Sequence, residues 1–488
     1  FFLWAPLLSL GARSLALAAH NPSIWEEVSP FVPRSHGVLW GTLQLCVLTA
    51  IAATAMGVPL GICLARGPRW LQFLSAISAA LPLGVPPVIL AAPFVSARSA
   101  ADHPLLYAVI TLTLSFYPLS ALSTGAALLS LPRGEEEAAL LLSSPLRAWL
   151  GVLGRRIFPA IIGSAGAIGA LCVWEMGAPD LLGQPSFGMS VYRALNSPQT
   201  LGPGEGAMRA FLASLPVPVL ALLFLLPATR AVSLLGSEPQ FDGLKSRWAG
   251  LGAWVLLASP GFILFELGRA LESTSTTWNT IAANDDAVTN TLITATLSAA
   301  WLTFAALLLL FTWRHWPRSW RALALGGSLL PGLCAPVVLG VALIEWWNRD
   351  AFAWVCDSTL GMVLVGHAAR FLPFAIALLW VPVSRLHPDT SFAAQNLGAS
   401  PLRALFTAEI PLLKGALAAT FAVLWALCAG ELTITVLVHG PGGDTLPLPI
   451  FNLLHAGIAA DVASLCLLLM MLCGTAMAMA LLVLRPRS

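Results

Sequence analysis

The sequence predicts an all-α polytopic membrane protein with about twelve transmembrane helices in two parallel six-helix halves, and three observations carry that prediction. Of the 488 residues, 58% are hydrophobic and only 10% charged, with a mean hydropathy of +0.83, whereas a soluble domain has about 25% charged residues. Crossing a bilayer takes about 20 apolar residues, and twelve runs qualify, near 1–19, 37–64, 71–95, 104–130, 159–178, 208–228, 249–268, 288–312, 322–346, 358–383, 415–436 and 462–484. Finally, the segment 136–175 recurs at 392–431. Ala138/Ala394, Leu141/Leu397, Ser144-Pro145-Leu146-Arg147-Ala148/Ser400-Pro401-Leu402-Arg403-Ala404 and Glu175/Glu431 match without a gap at an offset of 256, which marks an internal duplication.

The first run contains Ala16-Leu17-Ala18, a sequence that also suits a cleaved signal. Arg13 within the run, the lack of a basic start and the matching first span at 249–268 favour a retained helix. Phe1 in place of Met leaves open a short basic leader ahead of it. The two repeats are separated by six spans, an even number, so the halves have the same orientation. Placing both repeats inside puts most of the Lys and Arg residues in the cytoplasm, among them Arg66, Arg69, Arg133, Arg314, Arg318, Arg321 and Lys414. This is the expected positive-inside pattern. Both termini then lie in the cytoplasm, and a parallel duplication disfavours the inverted-repeat carriers. The polar segment from Arg230 to Arg247 contains the junction. The halves are 1–235 and 249–488, joined by a cytoplasmic linker at 236–248.

Several functions are disfavoured. A phosphate-binding loop needs a glycine ahead of its lysine, but the two lysines, Lys245 and Lys414, each follow leucine. The eight cysteines show neither CxxC nor finger spacing, and no HxxxH or HExxH pair occurs. No metal site, catalytic residue or bound cofactor is expected in this chain. With a net charge of +2, no global field points to nucleic acid. The lipid bilayer is its one certain surrounding by composition.

The repeated loops carry the informative chemistry. Each has helix-forming Ala and Leu, then a Ser-Pro pair in which Ser suits a helix cap and Pro its first turn. Glu136-Glu137-Ala138-Ala139 with Ser144, Pro145 and Arg147, and Ala393-Ala394 with Gly398, Ser400, Pro401 and Arg403, resemble the coupling loop of binding-protein-dependent ABC importer permeases. The second copy continues to Ile410-Pro411, as that loop does. The resemblance implies a MetI-like permease fold in which two short cytoplasmic helices joined at a glycine plug into an ATPase subunit. It implies as partners two ATP-binding cassette subunits, which bind the ATP and Mg, and a periplasmic substrate-binding protein. The location implied is the bacterial inner membrane.

Each copy departs from the family pattern differently. The first keeps an acidic residue, Glu136, but has Leu142 in place of glycine; the second keeps Gly398 but has Phe392 in the acidic place. Of the two prolines four apart that the family often shows, the first copy retains only Pro159 and the second only Pro411. Unequal docking on the two ATPase subunits is the expectation.

Glu175 and Glu431 end apolar runs at equivalent positions. A carboxylate there either holds the helix end by hydrogen bonds or lines the translocation path, and both readings stand. Arg370 reads as a packing or snorkelling residue. Outer acidic residues such as Asp285 and Asp444 form a solvated rim or a docking surface for a binding protein. The segment 431–461, with its glutamate, Gly-Pro-rich turn and Thr-Leu pair, resembles the ferric-iron permease subfamily, which also fuses both halves in one chain. Ferric iron is the cargo this implies, with thiamine, phosphonate and polyamine as alternatives. An ion-coupled secondary carrier is the rival from another class.

Overall fold

A computed structural model describes residues 4–20, 36–83, 85–95, 102–129, 154–195, 274–314, 316–356, 358–384, 388–456 and 459–484, with isolated positions between them. All regular structure among these residues is helical. In chain order the helices are α1 (Trp4–His20), α2 (His36–Arg66), α3 (Arg69–Leu83), α4 (Pro87–Val95), α5 (Pro104–Leu129), α6 (Gly154–Trp174), α7 (Gly177–Leu181) and α8 (Phe187–Leu195). There follow α9 (Thr274–Ala282), α10 (Asp285–Trp313), α11 (Arg318–Leu333), α12 (Pro336–Trp347), α13 (Ala353–Cys356) and α14 (Gly361–Ser384). The last six are α15 (Pro388–Asn396), α16 (Pro401–Ala404), α17 (Ile410–Ala429), α18 (Thr435–Val438), α19 (Pro447–His455) and α20 (Ala459–Leu484). The expected runs at 208–228 and 249–268, and the linker at 236–248, lie outside the described residues apart from a few single positions.

Six helices among the described residues are long and apolar enough to cross a membrane, and these lie within α2, α5, α6, α10, α14 and the stretch Leu405–Ala429. α10 shows how an evenly apolar helix is sorted. Ile293, Leu297, Trp301, Phe304 and Leu308 are exposed at three- and four-residue spacing, whereas Ala295, Ala299, Leu302, Ala306 and Leu310 are buried. One face is suited to lipid and the other, built largely from alanine, to close helix packing.

Two expected spans are broken, which corrects the single runs at 71–95 and 322–346. The first is divided into α3 and α4, the second into α11 and α12. Pro82 and Pro87 bracket the first break; Pro331 and Pro336 bracket the second. Proline lacks the N–H that would continue the ladder and presses on the turn before it. Each helix instead ends in a tight turn, with Val85 N–H donating to Pro82 O at 3.2 Å and Cys334 N–H to Pro331 O at 3.2 Å.

The breaks obey a register. α2 and α10 start at 36 and 285, α3 and α11 at 69 and 318, α4 and α12 at 87 and 336, an offset of 249 in every case. α6 and α17 start at 154 and 410, an offset of 256. The change falls between α12 and α14, where the second half carries the turn Asp350–Phe352 and α13. Structural repetition thus extends well beyond the identical pentapeptide.

The post-break helices lock the halves together. Val85, Val88, Ile89 and Leu90, at and after the first break, belong to a core cluster otherwise drawn from α10, α14, α17, α20 and the 432–450 region. Conversely, residues of α12 pack with Leu7 and Leu10 of α1 and with Trp174 of α6. Arg13, whose charge sat oddly in an apolar run, pairs with Glu345 of α12.

Candidate functional site

The second repeated loop is described throughout, except for the side chains of Pro388, Pro401 and Leu402. α15 stops at a Schellman motif: Gly398 N–H donates to Gln395 O at 2.9 Å and Ala399 N–H to Ala394 O at 3.1 Å. Gly398 has φ +88°, a left-handed conformation that costs other residues about 1–2 kcal/mol. The next helix is capped by Ser400, whose Oγ accepts from Arg403 N–H at 3.3 Å while its carbonyl accepts from Ala404 N–H at 2.8 Å. The helix–glycine–helix element expected at Ala393, Ala394, Gly398, Ser400, Pro401 and Arg403 is present.

A wide π-turn over Leu405–Glu409 then joins this loop to α17. Pro411 explains it: Pro411 has no N–H for the Thr407 carbonyl and its ring would crowd that oxygen, so the turn before it opens. Glu409 inside this turn is buried, and Arg314, just past α10, donates to its Oε2 at 2.9 Å. The loop is therefore tied by charge to a second transmembrane helix. Sequence inspection missed this pair because its members lie 95 residues apart. Phe392, Leu397, Phe406 and Leu412 remain exposed along the loop, with Leu397 at 90%.

In the first loop Ala138, Leu141, Leu142 and Arg147 are helical and exposed, and Ser144 is exposed. Leu141, the counterpart of Leu397, is 86% exposed. Glu136, Glu137, Ala139 and Pro145 lie outside the described residues.

Glu175 and Glu431 converge from the two halves. Glu431 is buried at the end of α17; its Oε1 accepts from Arg370 Nη1 at 2.7 Å and from Ile434 N–H at 2.9 Å. Glu175, at the end of α6, lies within electrostatic reach of both Arg370 and Glu431. It also accepts from Ala178 N–H at 3.5 Å. Arg370 is thus an ion-pair partner, which corrects its reading as a packing or snorkelling residue. The broken helix α4 approaches this cluster: a Cβ on Gly430, next to Glu431, would lie 2.9 Å from Pro86 Cγ, and one on Gly177 3.4 Å from Val88. One turn before Arg370, buried His367 shares a hydrogen bond with Ser298 at 3.0 Å through Nδ1. Cys172 and Cys428 stand three residues before the two glutamates and are both buried. This Cys-x-x-Glu repetition is a signal that extends the duplicated pattern to this cluster. Among the described residues no group of three or more His, Cys, Asp or Glu side chains could hold a metal ion.

No family model matches the chain. A protein named as a 2-aminoethylphosphonate transport system permease of Salmonella paratyphi A is 31% identical over 140 residues, covering 29% of this chain and 52% of that protein. A putrescine transport system permease protein of Escherichia coli K12 is 24% identical over 142 residues, 29% of this chain and 50% of its own length. In both cases the match spans about half the length of the relative. An Fe(3+)-transport system permease protein of Haemophilus influenzae is 22% identical over 450 residues, 86% of this chain and 85% of its own. The relatives are permease proteins of transport systems, and the cargo differs from one to the next.

Proposed function

We propose that this chain is the transmembrane permease subunit of a bacterial ATP-driven importer, both halves fused in one polypeptide, moving ferric iron delivered by a periplasmic binding protein. The observation that carries the reading is the loop at 388–411: a rigid helix–glycine–helix element with exposed Leu397 at its turn, repeated at Leu141 in the other half. Ferric iron is favoured over phosphonate and polyamine because the match to an iron-system permease runs through most of both chains. Thiamine remains an alternative from the resemblance alone.

In this reading the chain performs no chemistry. Two ATP-binding cassette subunits grip the loops from the cytoplasm, each against one half. Nucleotide binding favours one state of that pair, and the permease follows because its own two states interact differently with the open and closed subunits. The Schellman turn, the Ser400 cap and the Arg314–Glu409 pair make the second loop stiff, so its displacement reaches α10 and α17 together. The halves then alternate between inward- and outward-open forms around the Glu175–Arg370–Glu431 cluster.

Uptake of radioactive ferric iron by cells carrying the chain tests this. Iron uptake that needs the ATP-binding subunits and falls at least about tenfold in Leu397→Asp is the expected result. Uptake by the chain alone, driven by an ion gradient, would replace the proposal with a secondary carrier. Uptake of putrescine or 2-aminoethylphosphonate, but not iron, would change the cargo alone.

A further inference from the structure

We infer that Arg370 is a built-in counter-ion for the path between the halves: it ion-pairs the carboxylate of Glu431 in the observed state, with Glu175 within electrostatic reach, and has to be displaced when a cation passes. The inference rests on the transport reading above and names a specificity-determining residue within the same site.

Two carboxylates, one from each half, meet one guanidinium. Neither Leu114, which lies 256 residues before Arg370, nor Ser115, which matches it when Phe116 and Pro118 of α5 are set against Phe371 and Pro373, is a base. The duplication therefore supplies two acids and one base, and the symmetric second base is absent. Glu431 has two short contacts on Oε1, from Arg370 at 2.7 Å and from Ile434 N–H at 2.9 Å, whereas Glu175 has the longer 3.5 Å contact to Ala178 N–H. The Arg370 side chain is 24% exposed against 4% for Glu431. The acid is buried and the base is the more exposed partner.

This arrangement responds differently to the two signs of cargo. A cation that replaces the guanidinium finds Glu431 already held by a backbone N–H and Glu175 within reach, so charge remains paired. An anion would have to draw Arg370 away, leaving the buried Glu431 carboxylate without its base, which is strongly unfavourable away from bulk water. A structural latch would show neither preference, since it would need only to stay closed.

The test uses the purified full-length chain in nanodiscs, with Tb3+ as a hard trivalent cation, putrescine as an organic dication and phosphate as the anion. Binding is read by thermal unfolding and, for Tb3+, by sensitised emission. Arg370→Gln is expected to tighten binding of at least one cation by about tenfold. The gain should disappear in Arg370→Gln/Glu431→Gln and should not occur with phosphate. Arg370→Lys, which preserves the charge but lacks the planar fork, should give an intermediate gain of about threefold. If Arg370→Gln does not fold, Arg370→Lys decides. A folded variant with no gain for either cation, a gain that survives loss of Glu431, or tighter phosphate binding would overturn the inference. Co-purification of wild type with ATP-binding subunits reads the transport proposal independently of Arg370, so the two failures are distinguishable.

Discussion

The two copies of the repeated loop share Ser-Pro-Leu-Arg-Ala, yet they carry different residues two positions before that serine. The second copy turns at Gly398 with a positive φ, and its continuation is fastened through buried Glu409 to Arg314. The first copy has Leu142 at the glycine position and, at the offset of 256, Leu153 at the place of Glu409. At the other end of each half the same contrast recurs: Arg370 answers Glu431 in the second half, while neither Leu114 nor Ser115 in the first is a base. The helical register recurs, whereas the acid Glu409 and the base Arg370 have no charged counterpart at the matching positions. The lesson is that helical register and charge pairing diverge separately, because an apolar scaffold tolerates substitution as long as its volume is kept.

The sharpest way to break this comparison is to unfasten the second loop. Arg314→Gln leaves Glu409 buried opposite a neutral group, and loss of one partner from a buried pair costs about 3–5 kcal/mol. Thermal unfolding in detergent should register a large fall in midpoint, and Leu153→Ala in the first half should change it much less. Equal falls would show that the two loops are held alike.

A smaller effect separates the helix crossings. In α2, a Cβ on Gly57 would lie 2.5 Å from the Tyr117 carbonyl and one on Gly61 2.6 Å from the Ala121 carbonyl, so α2 and α5 meet backbone to backbone. The positions 249 residues on are Ala306 and Leu310, so the matching crossing of α10 on α14 has side chains where the first half has none. Gly57→Ala is therefore expected to destabilise by about 1–3 kcal/mol. Gly169→Ala in α6, where a Cβ meets nothing within 4 Å, should be neutral or slightly stabilising. The same unfolding assay ranks the pair.

Smaller again is the turn itself. Gly398→Ala must adopt φ near +88° and should cost about 1–2 kcal/mol, with a matching loss of transport-stimulated ATP hydrolysis. Leu142→Gly should leave hydrolysis unchanged if the first loop turns without a left-handed residue. The acidic motif sharpens the contrast from the other side: Glu136→Ala with Glu137→Ala should lower stimulated hydrolysis more than Phe392→Ala does. A reversed order would place the stronger grip on the second loop.

Much of this was legible from residues alone, for physical reasons that also mark where legibility ends. Hydropathy finds spans because bilayer thickness sets their length, and the Ser-Pro-Leu-Arg repeat located both loops. It missed the breaks at Pro82–Pro87 and Pro331–Pro336, since Leu83, Val85, Cys334 and Ala335 keep the stretch apolar while the prolines stop the helix. The paired prolines 249 residues apart were visible, but an offset of 256 hid them until helix starts could be compared. Glu175 and Glu431 were singled out by position, whereas Arg370 was not joined to them, because nothing in local sequence shows which helix faces which. The pairing of Arg13 with Glu345 of α12 was hidden for the same reason.

Native mass spectrometry of the complex purified through this chain tests the central claim most directly, because it counts the ATP-binding subunits that the two loops are proposed to hold. The account predicts one copy of the chain with two ATP-binding cassette subunits, reduced to one by Leu397→Asp or by Leu141→Asp and to none by both. A chain that carries no such subunit, or one that keeps both after the double substitution, would contradict it.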